Sequence, residues 1–211
     1  MYKLYYSPGA CSLAIHVALN EIKVEFELEN VAISEGKNRR EEFLKINPRG
    51  QVPVLIDGDN IIREGAAILI HLLEKHDSNL LPKLGNERLA ALQWLMFCNA
   101  SLHTAYSRVF FLMKNLEEKA ENKEKLFSTA VAMINKLWDE VEERLTQQSY
   151  LAGNYMTIAD ILLTVIANWS PRMPGEIKLG NKTKELLKKI SSLPSYQKSL
   201  TTEGVEYKVV N

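Results

Sequence analysis

Cysteine is nearly absent from this chain of 211 residues: there are two, Cys11 and Cys98. A disulfide framework needs more of them in a smaller chain, so a packed core has to hold the fold. An excess of either charge is also missing, with 26 Lys and Arg against 26 Asp and Glu. Nucleic-acid binding usually shows as a basic excess or stripe. The one basic run, Lys37-Asn38-Arg39-Arg40, meets Glu41-Glu42 at once and reads as a solvated helix start. The longest apolar stretch, around Ile161 to Ile166, falls far short of the roughly 20 residues that span a bilayer. No charged n-region precedes an apolar stretch at Met1-Tyr2-Lys3-Leu4-Tyr5-Tyr6, so no secretory signal is read. A Gly-rich phosphate loop is lacking. The four histidines, His16, His71, His76 and His103, have no metal-ligand spacing with one another or with the cysteines. The expectation is a cytoplasmic protein with no metal, no nucleic-acid partner and no membrane partner.

What the chain does have is 46% hydrophobic residues, enough for one large core or two small ones. Tyr2 to Tyr6 reads as a strand that ends in the turn Ser7-Pro8-Gly9. An apolar helix follows from Cys11, and Val24 to Glu29 alternates as a half-exposed strand. A short helix is expected near Glu41 to Lys45. Val52 to Ile56 is a third strand, Asp57-Gly58-Asp59-Asn60 a hairpin turn, Ile61-Ile62 a fourth strand, and Glu64 opens a helix to about His76. Strand, helix, strand implies a right-handed parallel unit, and the hairpin adds an antiparallel pair. The first 80 residues therefore predict a mixed four-stranded sheet with helices on both faces. Asp77 to Gly85 reads as a linker. Beyond Asn86 no strand signal returns, and helical spacing dominates: Leu89 to Leu102, Leu126 to Val141, Thr157 to Trp169, then two shorter helices near Lys182 to Ser191 and Pro194 to Thr201. The predicted division is 1–80 and 86–211.

Three short stretches carry chemistry. Cys11 stands at the first turn of a helix, where unpaired N–H groups and the helix dipole favour a thiolate, so its pKa is expected well below the free value of about 8.5. A small buried hydrophobe is the rival reading. Ala14 occupies the place of a second cysteine, so a self-contained dithiol cycle is excluded. Gly50-Gln51-Val52-Pro53 places a proline at a strand entrance. A cis Val52–Pro53 bond would turn the Val52 backbone outward to pair with a peptide ligand. In Arg63-Glu64-Gly65-Ala66 a carboxylate opens a helix. It either complements the dipole or meets a ligand ammonium while the Gly65 and Ala66 amides bind a carboxylate; a zwitterionic amino-acid head fits both.

Together these stretches resemble the bacterial beta-class glutathione transferases. The resemblance rests on Ser7-Pro8-Gly9-Ala10-Cys11-Ser12-Leu13, Asn47-Pro48-Arg49-Gly50-Gln51-Val52-Pro53 and Glu64-Gly65-Ala66-Ala67-Ile68. In the second half it rests on Trp94-Leu95, Leu102-His103 and Gly153-Asn154-Tyr155-Met156-Thr157-Ile158-Ala159-Asp160. It implies a thioredoxin-like α/β unit with a mixed four-stranded sheet, joined to an all-α helical bundle. It further implies a homodimer that uses glutathione as co-substrate against a small apolar electrophile, or exchanges thiols and disulfides through Cys11. Under that resemblance Cys11 touches the glutathione sulfur and His103 reaches the thiol from the second domain; these two are the catalytic candidates. Gln51, Val52 and Pro53 would hold the cysteinyl part, Glu64 and Gly65 the γ-glutamyl end, and Ser101 would reach across the dimer. Either Glu35 or Lys37 aligns with the family's glycyl-carboxylate lysine, and Lys37 is the chemically sensible choice.

The chain departs from the class at Met96, where an asparagine is usual, and at Thr104, where a lysine is frequent; Asn99 lies one turn further on. For the second substrate Tyr106, Phe110 and Trp169 offer aromatic surface, with Phe111 and Met113 nearby. Arg108 and Arg172 either greet an anionic substrate or face solvent. Thr157 with Asp160 reads as a capping box, not as a catalytic pair. Two other functions share the fold: a non-catalytic carrier of apolar ligands or partner of transcription machinery, and a plain thioredoxin-like reductase. The lone Cys11 and the large helical half argue against the reductase, and Cys11, Val52-Pro53 and Glu64 together favour an enzyme.

Overall fold

The computed structural model describes residues 1–117 and 120–209. Strand β1 (Tyr2–Tyr6) buries alternate residues, Tyr2, Leu4 and Tyr6, as a period of two requires. Helix α1 (Ser12–Glu21) buries every residue from Ser12 to Leu19. Strand β2 (Phe26–Asn30) lies parallel to β1, with Leu4 opposite Leu28. A short helix α2 (Glu41–Ile46) precedes the hairpin β3 (Val54–Asp57) and β4 (Asn60–Arg63). The third strand was expected from Val52; it begins at Val54, because Pro53 has no N–H to give to a ladder. β3 runs antiparallel to both β1 and β4, giving the order β2-β1-β3-β4. Helices α1 and α3 (Gly65–Lys75) pack together on the large core. On the other face Val31, Phe43 and Val54 form a smaller cluster beneath α2.

The remainder is helical. α4 (Gly85–Met96) continues through a π-helical turn, Phe97–Leu102, into α5 (His103–Asn115). Apolar spacing marked this helix only as far as Leu102. After α6 (Lys123–Gln147) comes α7 (Ile158–Ala167), in which every residue is buried. α8 (Asn181–Ser191) and α9 (Pro194–Glu203) close the chain. α7 packs against α1, α4 and α8, and α1 also against α9, so one continuous core runs from the sheet into the bundle. Among the described residues no helix is long and apolar enough to cross a membrane.

The start of α7 is the tightest local design. Asp160 is wholly buried. Its Oδ2 accepts the Thr157 amide at 2.8 Å and the Thr157 hydroxyl at 3.1 Å. Its Oδ1 accepts the Leu151 amide at 2.9 Å. Thr157 and Asp160 form the capping box read from the sequence. Burial pushes the Asp160 carboxyl up to about 6, against the pull of those amides. Asp160→Ala leaves two buried amides and a hydroxyl without an acceptor. It is expected to cost roughly 2–4 kcal/mol. Urea unfolding checks this, and a loss below about 0.5 kcal/mol, the size of an ordinary surface change, would refute it.

Candidate active site

The turn after β1 is held from the helical half of the chain. Gly9 has φ +67°, a conformation that suits glycine. Its N–H donates to Glu203 Oε2 at 3.0 Å, and its carbonyl accepts from Trp169 Nε1 at 2.9 Å. The other oxygen of Glu203 bonds His16 Nδ1 at 2.9 Å, both side chains being buried. Ser12 Oγ accepts the Ser7 amide and donates to the Ser7 carbonyl, each at 3.3 Å. That hydroxyl closes the turn and is not free to orient a ligand. None of this clasp was read from the sequence. Its one local signal is His16, a polar residue in an otherwise apolar helix.

Cys11 caps α1, and its Sγ donates to the Val52 carbonyl at 3.8 Å. Two of the three singled-out stretches therefore meet. The amides of Cys11 and Ser12 do favour the thiolate, as expected of a helix start. Burial outweighs them and Glu64 adds its negative charge, so the thiol is pushed up to about 11. The expectation of a depressed pKa is thus reversed: the desolvation cost of the anion exceeds what two amides return. His103 is lowered by burial, so at neutral pH it is an uncharged imidazole and lends the sulfur no cation. Cys98 is fully buried, raised well above the usual thiol range, and donates to the Ala159 carbonyl at 3.7 Å.

The loop bearing Val52 is pinned by two buried asparagines. Asn47 Nδ2 donates to the Gln51 carbonyl at 2.7 Å, and Asn38 Nδ2 to the Gly50 carbonyl at 2.7 Å. Gly50 has φ +62°, and a Cβ there would meet the Asn38 carbonyl oxygen at 2.9 Å. The Val52–Pro53 peptide is cis. Glu64 has φ 70°, an unusual conformation for a non-glycine residue and one found where a site constrains the backbone. Its Oε1 pairs with Arg49 Nη2 at 2.6 Å. A Cβ on Gly65 would lie 3.6 Å from Pro53 Cγ and 3.8 Å from Asn99 Oδ1. Asn99, on the π-helical turn, thus reaches the start of α3, whereas Met96 is exposed. Lys37 Nζ pairs with Glu35 Oε2 at 2.6 Å, so the two alternatives for one role hold each other. Gln51 and Ser101 are exposed.

Trp169 is the hub of the aromatic residues. The rings of His103, Tyr106 and Phe110 lie 5.1, 5.9 and 6.0 Å from it. Tyr106 is a correction: it is fully buried, its hydroxyl bonds Ser170 Oγ at 2.6 Å and accepts Trp138 Nε1 at 2.9 Å, and it offers no substrate-facing wall. Burial also pushes its hydroxyl up to about 12. Arg172 sits over the Phe110 ring at 4.9 Å. Arg108 instead contacts Met133 of α6 through Sδ at 3.7 Å. Two surface hollows lie elsewhere, one at the linker around Ser78–Leu84 and one between Ser170 and Lys208. Neither contains Cys11, Val52 or Glu64.

Two family models match the chain. The glutathione S-transferase N-terminal domain covers residues 1–74 and the glutathione S-transferase C-terminal domain residues 91–194. The glutathione S-transferase GstA of Escherichia coli O157:H7 is 27% identical over 97% of this chain and all of its own. Among solved structures, a sphingomonad glutathione S-transferase complexed with glutathione is 28% identical. Its TM-score is 0.83, with 97% of this chain and 100% of that one covered. A bacterial beta-class glutathione S-transferase from Sphingomonas chungbukensis is 27% identical with a TM-score of 0.82, over 97% and 100% of the two chains. The chain belongs to the glutathione S-transferase family.

A thiol that titrates near 11 is almost wholly protonated at neutral pH. Because the raised pKa belongs to an acid, the reactive anion grows about tenfold per pH unit until that value is reached. Alkylation of Cys11 by iodoacetamide in the glutathione-free protein is expected to climb from pH 7 to 10 without a plateau. A plateau at or below about 8.5, the free-thiol value, would refute this.

Proposed function

We propose that the chain conjugates glutathione to small electrophiles, with the cleft between the Cys11 turn, the Val52–Pro53 loop and the start of α3 as its glutathione site. The observation that carries this reading is the convergence of those three stretches. Cys11 Sγ touches the Val52 carbonyl, and Glu64 acts on the Cys11 thiol. Gly65 lies against Pro53. The glutathione-bound relative supports it.

Each residue then has a task. The cysteinyl backbone of glutathione pairs with the Val52 N–H and carbonyl as an added strand. It displaces the Cys11 S–H from that carbonyl, and the neutral thiol turns its proton toward the glutathione sulfur. The Cys11 and Ser12 amides add to the stabilisation of that thiolate. Neutral His103 accepts the glutathione thiol proton. The γ-glutamyl ammonium replaces Arg49 at Glu64, and its carboxylate meets the Gly65 amide at the α3 N-terminus. Lys37 leaves Glu35 for the glycyl carboxylate, and Gln51 borders the cysteinyl part. Phe110 and Trp169 receive the second substrate. Because Cys11 rests as a thiol, conjugation is favoured over thiol–disulfide exchange. Residues 1–80 and 86–211 act as the two domains. Ser101 and the exposed Leu89 and Met96 face a second copy in a homodimer. The protein works in the cytoplasm.

Calorimetry with glutathione and a conjugation assay test the reading. Glutathione that fails to bind at millimolar concentration would overturn it; binding without turnover of any electrophile would favour the non-catalytic carrier. Glu64→Ala is expected to weaken glutathione binding about tenfold, as for an exposed charge-assisted hydrogen bond. An unchanged dissociation constant would leave Glu64 a helix-start carboxylate. Light scattering at micromolar concentration is expected to give the dimer mass, and a monomer mass would remove Ser101 from the site.

A further inference from the structure

We infer that Glu203, on the last helix, is a positioning residue for the glutathione thiolate: it fixes the Gly9 peptide from which the Cys11 and Ser12 amides are aimed at the sulfur. The inference rests on the conjugation reading above and deepens it.

Glu203 ends α9, yet it is only 6% exposed. A buried carboxylate keeps its place only where donors meet its oxygens. Its partners come from the other end of the chain. The Gly9 N–H donates to Oε2 at 3.0 Å, and His16 Nδ1 bonds Oε1 at 2.9 Å. Two further bonds tie α9 down. Asn20 Nδ2 of α1 donates to Ser199 Oγ at 2.9 Å, and that hydroxyl donates to the Ser195 carbonyl at 2.8 Å. A Cβ on Gly9 would lie 3.5 Å from Val205 Cγ1, so the chain just beyond α9 packs on the same residue. Trp169 Nε1 donates to the Gly9 carbonyl. Both faces of this one peptide are therefore held from the helical half.

From Gly9 the turn passes through Ala10, whose amide donates to the Ser7 carbonyl at 3.0 Å. The next two amides, those of Cys11 and Ser12, bond the Cys11 sulfur. A glutathione sulfur beside Cys11 meets the same two donors. Such bonds weaken steeply as the donor swings out of line, so the tilt of the Gly9 peptide sets how well the thiolate is stabilised. The glutathione backbone, held at Val52 and Glu64, does not depend on that tilt. Thiolate stabilisation and backbone binding can thus be separated by experiment.

Two quantities are measured on the full-length protein. The first is the pH at which bound glutathione ionises, followed by the ultraviolet absorbance of its thiolate. The second is the calorimetric affinity for S-methylglutathione, which keeps the backbone and has no thiol to ionise. Glu203→Leu strips Gly9 and His16 of their acceptor. It is expected to raise the ionisation of bound glutathione by about one pH unit, a roughly tenfold loss of thiolate near neutrality. kcat/KM falls in step at low pH and recovers at high pH, while S-methylglutathione affinity changes less than about threefold. Removal of a negative charge by itself favours a thiolate, so a direct electrostatic effect has the opposite sign. Glu203→Gln is expected to keep the wild-type titration, because its amide oxygen can accept the Gly9 N–H while its nitrogen donates to the other tautomer of His16. Glu142→Leu, which removes the acceptor from the Lys182 and Thr183 amides at the start of α8, controls for lost stability and should not move the titration. If Glu203→Leu does not fold, Glu203→Asp replaces it; one methylene short, it cannot reach both partners and should shift the titration the same way. An unshifted or downward-shifted titration, an equal loss of both ligands, a shift in Glu203→Gln as large as in Glu203→Leu, or the same shift in Glu142→Leu overturns the inference and leaves conjugation standing. A wild-type protein that binds neither ligand overturns the conjugation reading, and the inference falls with it.

Discussion

Glu203 is a carboxylate without access to solvent, gripped by groups from the opposite end of the chain. His16 of α1 takes one oxygen and the Gly9 amide takes the other. A buried carboxylate is costly unless each oxygen finds a donor, so α9 and the β1–α1 turn are obliged to meet in one arrangement. Trp169 fixes the other side of the same glycine through its carbonyl. With both faces of Gly9 held, the direction in which the chain enters α1 is set, and with it the position of Cys11 over the Val52 carbonyl. The sheet half supplies the cleft, but the helical half holds its floor in place.

The same packing reverses the electrostatics of the thiol. A helix start offers amides to an anion, and here the Cys11 and Ser12 amides do so. They act on a sulfur that the packing has removed from water, and the solvation lost is the larger quantity. The result is a thiol that rests as a hydrogen-bond donor to the Val52 carbonyl. That state suits the handling of another molecule's thiolate better than attack by Cys11 itself. Burial also assigns the aromatic residues to the packing. Tyr106 is spent on Ser170 and Trp138 inside the bundle, and Trp169, buried as well, packs against Phe110.

Local patterns made much of this legible. Alternation in Tyr2 to Tyr6, the Asp57-Gly58-Asp59-Asn60 turn and the Thr157–Asp160 spacing each encode their element within a few residues. The continuation of the Leu89 helix to Asn115 was not legible, because α5 carries exposed Phe111 and Met113 that blur its apolar face. The asparagines that pin the Val52 loop look like turn residues in sequence; only their burial reveals the carbonyls they hold.

By itself the sequence determined the order of strands and helices, the cap of α7 and the identity of the residues at the three chemical stretches. These depend on spacing, backbone preference and side-chain type, which are properties of neighbours along the chain. Tertiary structure alone decided that Glu203, 187 positions from His16, completes the turn before Cys11, that Asn99 reaches the start of α3, and that Arg172 rather than Arg108 lies over Phe110. It also decided the protonation of Cys11 and His103. The physical reason is common to all of these: solvation and long-range pairing are set by what packs around a group, and no window of sequence contains that.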